Sequence, residues 1–350
     1  MERDGPGAYS EWMTGSSPPL HFIRLQDLTD RQIEDILDLS QRMKRGASRA
    51  ELANHTIGLL FFRGSLRTRT SLVAAVHDLG GHTVNLTAAS DFWELEAQDG
   101  TIMDGAAPEH IRDAAAVMSQ YVAALAIRPK QAGQSWAVDR KEMSIQAWAT
   151  HSQVPVINME SCLWHPLQAL ADLLTLRESL GNLGGNKLAI VWTRSPQPAS
   201  SSVVNSILHG ALRSGMNVSI AHPPGYELDA SVLETARSSA AERGVELETG
   251  LSMEDATEGA HVVYARSWQS LETYGNPTLA ASQLARAGTW TVGEAIMARG
   301  EQARLMHAMP VRRNLEVTDE VLDGPRSMIL AQAENRLHTQ KGLLSLLLRQ

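Results

Sequence analysis

At 350 residues the chain is long enough for two domains with sizeable cores, and its 43% hydrophobic and 20% charged content describes an ordinary globular protein. With 31 lysines and arginines against 39 acidic residues, the formal charge of −8 excludes a global basic field for nucleic acid, so the arginines must act locally. The single cysteine, Cys162, excludes an internal disulfide framework or a thiolate metal cluster and suits a reducing cytoplasm.

Residues 1–19 are rich in Gly, Ser and Pro and lack the basic start and apolar core of a signal peptide. A disordered extension is expected there, and no apolar run approaches membrane-spanning length. The first helix should start at Thr29, where Gln32 completes a capping box, and run through Ile33, Ile36, Leu37 and Met43 to Gly46. The patterning then predicts a strand over 57–62, a helix over 67–79 closed by Gly80-Gly81, a strand over 83–86 and a helix over 108–120. A strand over 123–127, another helix and a strand over 154–158 complete a first unit. A helix over 166–180 and a turn over 182–186 lead to a second unit, with strands over 188–192, 218–221 and 261–264 and helices over 203–213 and 231–243. The last segment, 336–348, reads as a leucine-rich amphipathic helix. Strands separated by helices make this an α/β protein with two doubly wound parallel sheets covered on both faces.

Three clusters carry chemistry. In Ser65-Leu66-Arg67-Thr68-Arg69, hydroxyls, two arginines and free backbone N–H groups converge where a strand gives way to a helix N-terminus. Unpaired donors, the helix dipole and the guanidinium forks favour a phosphate there; the bland alternative is a helix start making surface ion pairs. In Glu160-Ser161-Cys162-Leu163-Trp164-His165-Pro166-Leu167-Gln168, Pro166 fits the first helical position and puts His165 and Gln168 on one face. Such a pair can hold a carbonyl and its amino group, or simply open a capped helix. The third cluster, His307-Ala308-Met309-Pro310-Val311-Arg312-Arg313-Asn314, is by itself only a basic loop. There is no G-x-G-x-x-G signature of the kind expected in a dinucleotide-binding protein.

In this order, Ser-x-Arg-Thr-Arg, His-Pro-x-Gln and His-x-x-Pro-x-Arg-Arg-Asn resemble the aspartate/ornithine carbamoyltransferase family over residues 20–348. Trp93-Glu94-Leu95-Glu96, the 100–105 segment, Tyr264-Ala265-Arg266-Ser267-Trp268 and Glu334-Asn335-Arg336 look like its N-acetylornithine and N-succinylornithine branch. The resemblance implies a carbamoyl phosphate domain over 20–163 plus 331–350 and an amine-substrate domain over 164–330, linked by crossing helices. It also implies a homotrimer with shared active sites, and no metal or cofactor. Ser65, Leu66, Arg67, Thr68 and Arg69 would take the phosphate, and Arg128 the phosphate and the carbonyl oxygen. His165 would donate to that oxygen and Gln168 hold the carbamoyl amino group, helped by backbone carbonyls near Met309, with Arg313 near the same pocket. The proton of the attacking amine would leave on the departing phosphate.

For the amine the resemblance points to Trp93, Pro108, Glu160, Arg266, Ser267, His307 and Ala308. Pro108 matches a position that is proline in succinylornithine enzymes and glutamate in acetylornithine enzymes, and a glutamate would repel a succinyl carboxylate. Several residues depart from the pattern: Ala308 replaces a thiol, Arg266 a lysine, and Glu316 a lysine that is carboxylated in some acetylornithine enzymes. Gly64 and Ser200 differ as well. The phosphate half is kept while the amine half has drifted, which also fits another acceptor such as 2,3-diaminopropionate, lysine or a diamino residue in a peptide product. A catalytically silent partner subunit would instead predict damage to the phosphate motif, which is intact.

Overall fold

The computed structural model describes residues 21–47 and 50–348, so the extension expected at 1–19 lies outside the described residues. The first half contains strands β1 (His21–Phe22), β2 (Thr56–Phe61), β3 (His82–Thr87), β4 (Leu95–Glu96), β5 (Glu109–His110), β6 (Ala124–Arg128) and β7 (Val156–Asn158). Between them lie helices α1 (Asp30–Lys44), α2 (Arg67–Asp78), α3 (Ile111–Met118), α4 (Trp136–Asp139) and α5 (Met143–His151). Helix α6 (Pro166–Leu180) leads to β8 (Lys187–Trp192), α7 (Ser202–Arg213), β9 (Asn217–Ala221), α8 (Ala230–Arg243), β10 (Leu247–Leu251), α9 (Met253–Thr257) and β11 (Val262–Arg266). The chain closes with α10 (Pro277–Arg286), α11 (Glu294–Met297), β12 (Arg304–Met306), α12 (Asp319–Leu322) and α13 (Ile329–Leu347).

Two five-stranded sheets result, ordered β1-β7-β6-β2-β3 and β10-β9-β8-β11-β12. Every neighbouring pair in both is parallel. The central strands explain why: Ile57–Phe61, Ala124–Ile127, Leu188–Trp192 and Val262–Arg266 are unbroken buried runs, the mark of strands covered on both faces. In each sheet the winding reverses once. The chain leaves β2 for β3 on one side and returns to β6 on the other, and likewise β8 lies between β9 and β11. Ligands of such sheets bind outside the carboxyl ends of the strands that flank the reversal. Here those ends are Phe61 with Arg128 in one sheet and Trp192 with Arg266 in the other.

Helices α6 and α13 pack against each other, and α13 also packs on α1 and α2. Pro166 occupies the first turn of α6, and Leu170, Leu173 and Leu174 are essentially fully buried. The reading of α13 changes in two ways. It starts at Ile329, seven residues before the expected Arg336, and it is not amphipathic in the usual sense. Gln332, Asn335, Arg336, Thr339, Gln340 and Lys341 are all buried, because neighbouring helices enclose it, and Asn335, Arg336 and Lys341 find polar partners there. Asn335 Nδ2 donates to Thr175 Oγ1 at 3.0 Å, and Lys341 Nζ lies 3.2 Å from Asp78 Oδ2. Gly342 lets α13 approach α1, since a Cβ there would sit 2.9 Å from the Ile36 carbonyl oxygen. Among the described residues no helix is long and apolar enough to cross a membrane.

Candidate active site

The carboxyl ends of the strands flanking both reversals open on one cavity of about 200 Å³. From the first sheet come Arg63, Ser65, Arg67 and Thr68 after β2, Arg128 at the end of β6, and Glu160 after β7. From the second come Ala199 and Val203 after β8, Arg266 at the end of β11, and Ala308, Met309 and Pro310 after β12. His165 and Gln168 from the start of α6 and Arg336 from α13 complete it. Five arginines and one carboxylate therefore face one small space, a strong excess of positive charge.

Glu160 is the hub of that charge. Its Oε2 pairs closely with Arg128 Nη2 and lies 3.4 Å from Arg63 Nη2, while Ser202 Oγ donates to Oε1 at 3.2 Å. Burial alone would raise its carboxyl, but Arg128 and Arg63 hold it well below the usual carboxylate range. His165 Nε2 stands 4.0 Å from the same oxygen. Burial nevertheless pushes this imidazole well below its ordinary range, so it is neutral. Its side chain does not cap α6, and its buried Nδ1 has no partner among the described residues.

Arg336 is fixed by two neutral acceptors. Its Nη2 donates to Thr68 Oγ1 at 2.8 Å and its Nη1 to Gln168 Oε1 at 2.9 Å. Burial, then the nearby Arg128, lower it to about 10, which leaves it a cation at neutral pH. Ser65 Oγ accepts from Thr68 N at 3.2 Å, which ties the turn before α2 to its first residues. No hydrogen bond among the described residues engages the Arg67 guanidinium, which leaves its donors for a ligand. Arg266 Nη1 reaches only the Met309 carbonyl, at 3.4 Å, and its buried Nε is unpaired. Met309 holds a left-handed φ of 57°, unusual for a side chain of its size.

Other expected residues lie elsewhere. Arg69 turns away: its guanidinium sits 4.0 Å over the Phe61 ring and donates to Thr87 Oγ1 at 2.9 Å. Residues two apart on a helix point roughly 200° apart, so a pocket-facing Arg67 requires this. Arg313 is also outside the cavity. Exposed, it pairs with Asp319 and Asp323, each at 2.7 Å, whereas Arg312 Nε reaches Ser195 Oγ at 3.1 Å. Leu66, 75% exposed, points to solvent. Ser267 is buried without lining the cavity. His307 and Glu316 sit behind the wall: His307 Nδ1 accepts from Met309 N at 2.9 Å, so the neutral ring donates from Nε2 to Glu316 at 3.0 Å. Trp93 is 69% exposed, and Pro108 is exposed ahead of β5 rather than at the first position of α3.

Arg63 and Arg336 are the charged cavity residues that the roles assigned from sequence left out, together with the apolar Ala199, Val203 and Pro310. Arg63 follows close on the β2 run, a position that topology marks as ligand-facing, and Arg336 belongs to the Glu334-Asn335-Arg336 motif that carries the family resemblance. No group of three or more His, Cys, Asp or Glu side chains able to hold a metal occurs among the described residues.

Comparison with known proteins fits this geometry. The model of the aspartate/ornithine carbamoyltransferase carbamoyl-P binding domain matches residues 20–178, and that of the Asp/Orn binding domain matches 185–347. N-acetylornithine carbamoyltransferase of Xanthomonas campestris pv. campestris is 37% identical over 94% of this chain and 98% of its own length. N-succinylornithine carbamoyltransferase of Bacteroides fragilis is 35% identical over 90% and 94%. Among solved structures, acetylornithine transcarbamylase complexed with acetylcitrulline superposes with a TM-score of 0.89 at 37% identity, covering 94% of this chain and 99% of that one. A Glu-to-Pro mutant of N-acetyl-L-ornithine transcarbamylase, complexed with carbamyl phosphate and N-succinyl-L-norvaline, gives 0.90 at 38% identity, covering 93% and 99%. Motif order, two singly reversed parallel sheets, a shared arginine-lined cavity and both domain matches agree: the chain belongs to the aspartate/ornithine carbamoyltransferase family.

Proposed function

We propose that the acceptor of this carbamoyltransferase is an N-acylated ornithine, whose free side-chain amine takes the carbamoyl group of carbamoyl phosphate to give a ureido product and phosphate. The observation that carries the reading is the cavity where the carboxyl ends of both sheets meet, with Arg67, Arg128 and Arg336 around a neutral His165. The phosphate lies against Ser65, Arg67, Thr68 and Arg128, with Arg336 replacing Arg69 and Arg313 in the set first assigned to it. His165 and Arg128 donate to the carbonyl oxygen; Gln168 Oε1 and the Met309 carbonyl accept from the carbamoyl amino group. The neutral amine attacks the carbonyl carbon, and a C–N bond forms as negative charge gathers on the oxygen. The C–O bond to phosphate then breaks, and the amine proton leaves on that phosphate. Positioning and fixed charge supply the catalysis.

Both N-acylornithine relatives support the acylated acceptor. Pro108 favours succinyl over acetyl, and the solved Glu-to-Pro mutant carries N-succinyl-L-norvaline. Glu160 and Arg266 face the acceptor, backed by Ser267, His307 and Ala308. Exposed Trp93 and Pro108 serve the pocket of a neighbouring subunit in a cytoplasmic homotrimer. The carbamoyl phosphate domain comprises 20–163 with 331–350, and the acceptor domain 164–330. A second reading, an unacylated diamine such as 2,3-diaminopropionate, rests on Arg266 and Ala308, two departures that both line the cavity.

Specificity constants for N-succinyl-L-ornithine, N-acetyl-L-ornithine, ornithine and 2,3-diaminopropionate separate the two. The expected result is preference for the succinyl compound, erased or reversed by Pro108→Glu. Preference for an unacylated diamine, indifferent to Pro108→Glu, would overturn the acylornithine reading and leave carbamoyl transfer intact.

A further inference from the structure

One buried acid lies outside the cavity and grips its glutamine. Asp172, one turn after Gln168 on α6, is fully buried. Its Oδ1 accepts from Gln168 Nε2 at 2.8 Å and from Gln332 Nε2 at 2.7 Å, and its Oδ2 from Tyr264 OH at 2.9 Å. At the other end of the Gln168 amide, Oε1 accepts from Arg336 Nη1 at 2.9 Å. The amide is thus strung between an anion at its NH2 end and a cation at its oxygen end. Turned over, it would set oxygen against carboxylate and NH2 against guanidinium, so both contacts would become repulsive. Gln168 and Arg336 line the cavity whereas Asp172 does not, so the oxygen end is the one the cavity meets.

We propose that Asp172 is a positioning residue: it anchors the NH2 end of Gln168, fixes the amide oxygen toward the cavity, and so makes the site select an acyl phosphate bearing N–H on its acyl carbon over one bearing methyl. The inference rests on the reading that Gln168 binds the carbamoyl amino group. An amide oxygen has two lone pairs, and Arg336 uses one. An N–H satisfies the other, whereas a methyl leaves it buried and unpaired, which costs affinity. The same carboxylate also braces Gln332, whose Oε1 accepts from His307 N at 2.9 Å at the start of the loop carrying Met309. One acid therefore steadies both sides of the carbamoyl position.

Acetyl phosphate is the probe, since it keeps the phosphate and carbonyl and replaces NH2 by CH3. Calorimetric titration of the full chain with carbamoyl phosphate and with acetyl phosphate gives the ratio of the acetyl phosphate dissociation constant to that of carbamoyl phosphate. In Asp172→Ala, where water can fill the vacated space and pair the orphaned donors, that ratio should fall about tenfold, the effect of losing one charge-assisted anchor. Asp172→Ser carries the same expectation should the alanine variant not fold. Asp172→Asn, whose Oδ1 can still accept from Gln168, should restore the ratio to within about threefold of wild type. Tyr264→Phe, which leaves the Oδ1 contacts in place, should not change it. A purely structural acid would weaken both ligands equally and leave the ratio intact in every variant. Gln168→Ala separates the two claims. If it keeps the wild-type ratio, the assignment of Gln168 is wrong; if it loses the ratio while the Asp172 variants keep it, the role of Asp172 is overturned.

Discussion

The two halves of the cavity are built by different means. Among the residues assigned to carbamoyl phosphate most are held by neighbours: Arg128 by Glu160, Arg336 by Thr68 and Gln168, and Gln168 by Asp172 one turn along α6, while Arg67 keeps its donors free. Among those assigned to the acceptor, Glu160 is held by Arg128 and Arg63, but Arg266 makes one long contact, Ala308 offers only a methyl, and Trp93 and Pro108 stand exposed outside the cavity lining. The phosphate half is preorganised within one chain, so its donors need little rearrangement as charge develops. The acceptor half is sparse within one chain, which is where a change of substrate costs least.

The sharpest way to break this contrast is to remove the neutral donor at the centre of the rigid half. His165→Asn should lower kcat by about 10²–10³, roughly 2.7–4 kcal/mol, with a smaller effect on carbamoyl phosphate affinity, because the proposed hydrogen bond strengthens as the oxyanion forms. Steady-state kinetics and ligand titration of the same preparation check this; an unchanged kcat would remove His165 from the chemistry. Next in size, Arg67→Ala should weaken carbamoyl phosphate binding by about one to two orders of magnitude, roughly 1.5–3 kcal/mol for a charge-assisted contact. Wild-type affinity in a folded Arg67→Ala variant would move the phosphate elsewhere.

Preorganisation should also show as a stability cost. Burial raises Asp172 to about 6, above its ordinary value of 3.8. The folded state therefore favours the protonated form, and ionising Asp172 opposes folding. Its contribution to stability is most favourable below the ordinary carboxylate range and is lost as pH rises through about 6. Asp172→Asn should accordingly be more stable than wild type at pH 7 in denaturant unfolding, with the advantage shrinking toward pH 4. A variant less stable at both pH values would show that the hydrogen bonds of the carboxylate outweigh its burial.

The smallest effect belongs to Arg313. Paired with Asp319 and Asp323 on the surface, it should tolerate alanine with kcat/KM within about twofold, as exposed ion pairs generally do. A tenfold loss would return it to the active site.

What could be read from the sequence was what local physics decides. The Thr29–Gln32 capping box, the apolar run of β2 and Pro166 at the first turn of α6 each mark an element directly, and all three stand where expected. The motif order carried the family and with it most of the cavity. Strands β1, β4, β5, β10 and β12 carry no strand pattern in the sequence: β10 alternates half-exposed and exposed residues at a sheet edge and contains Gly250, β12 spans three residues, and β1, β4 and β5 span two each. Helix α13 was misjudged because its buried polar residues imitate a solvated face, and only their partners on α6 and α2 reveal otherwise. Arg69 was within reach of helical geometry, which separates it from Arg67. Arg313 was not, since the aspartates that hold it out lie six and ten residues further on, at the two ends of the short helix α12, beyond a turn whose path no local pattern fixes.

The central claim is that carbamoyl phosphate bound in this cavity gives its carbamoyl group to an acylornithine. A single-turnover reaction with carbon-13-labelled carbamoyl phosphate and N-succinyl-L-ornithine, followed by NMR alongside phosphate release, tests it most directly. The account predicts one labelled ureido carbon for each phosphate released, formed about one to two orders of magnitude more slowly by Arg67→Ala at the same subsaturating ligand concentration. Phosphate release without a labelled ureido product, or an unaltered rate from Arg67→Ala, would contradict it.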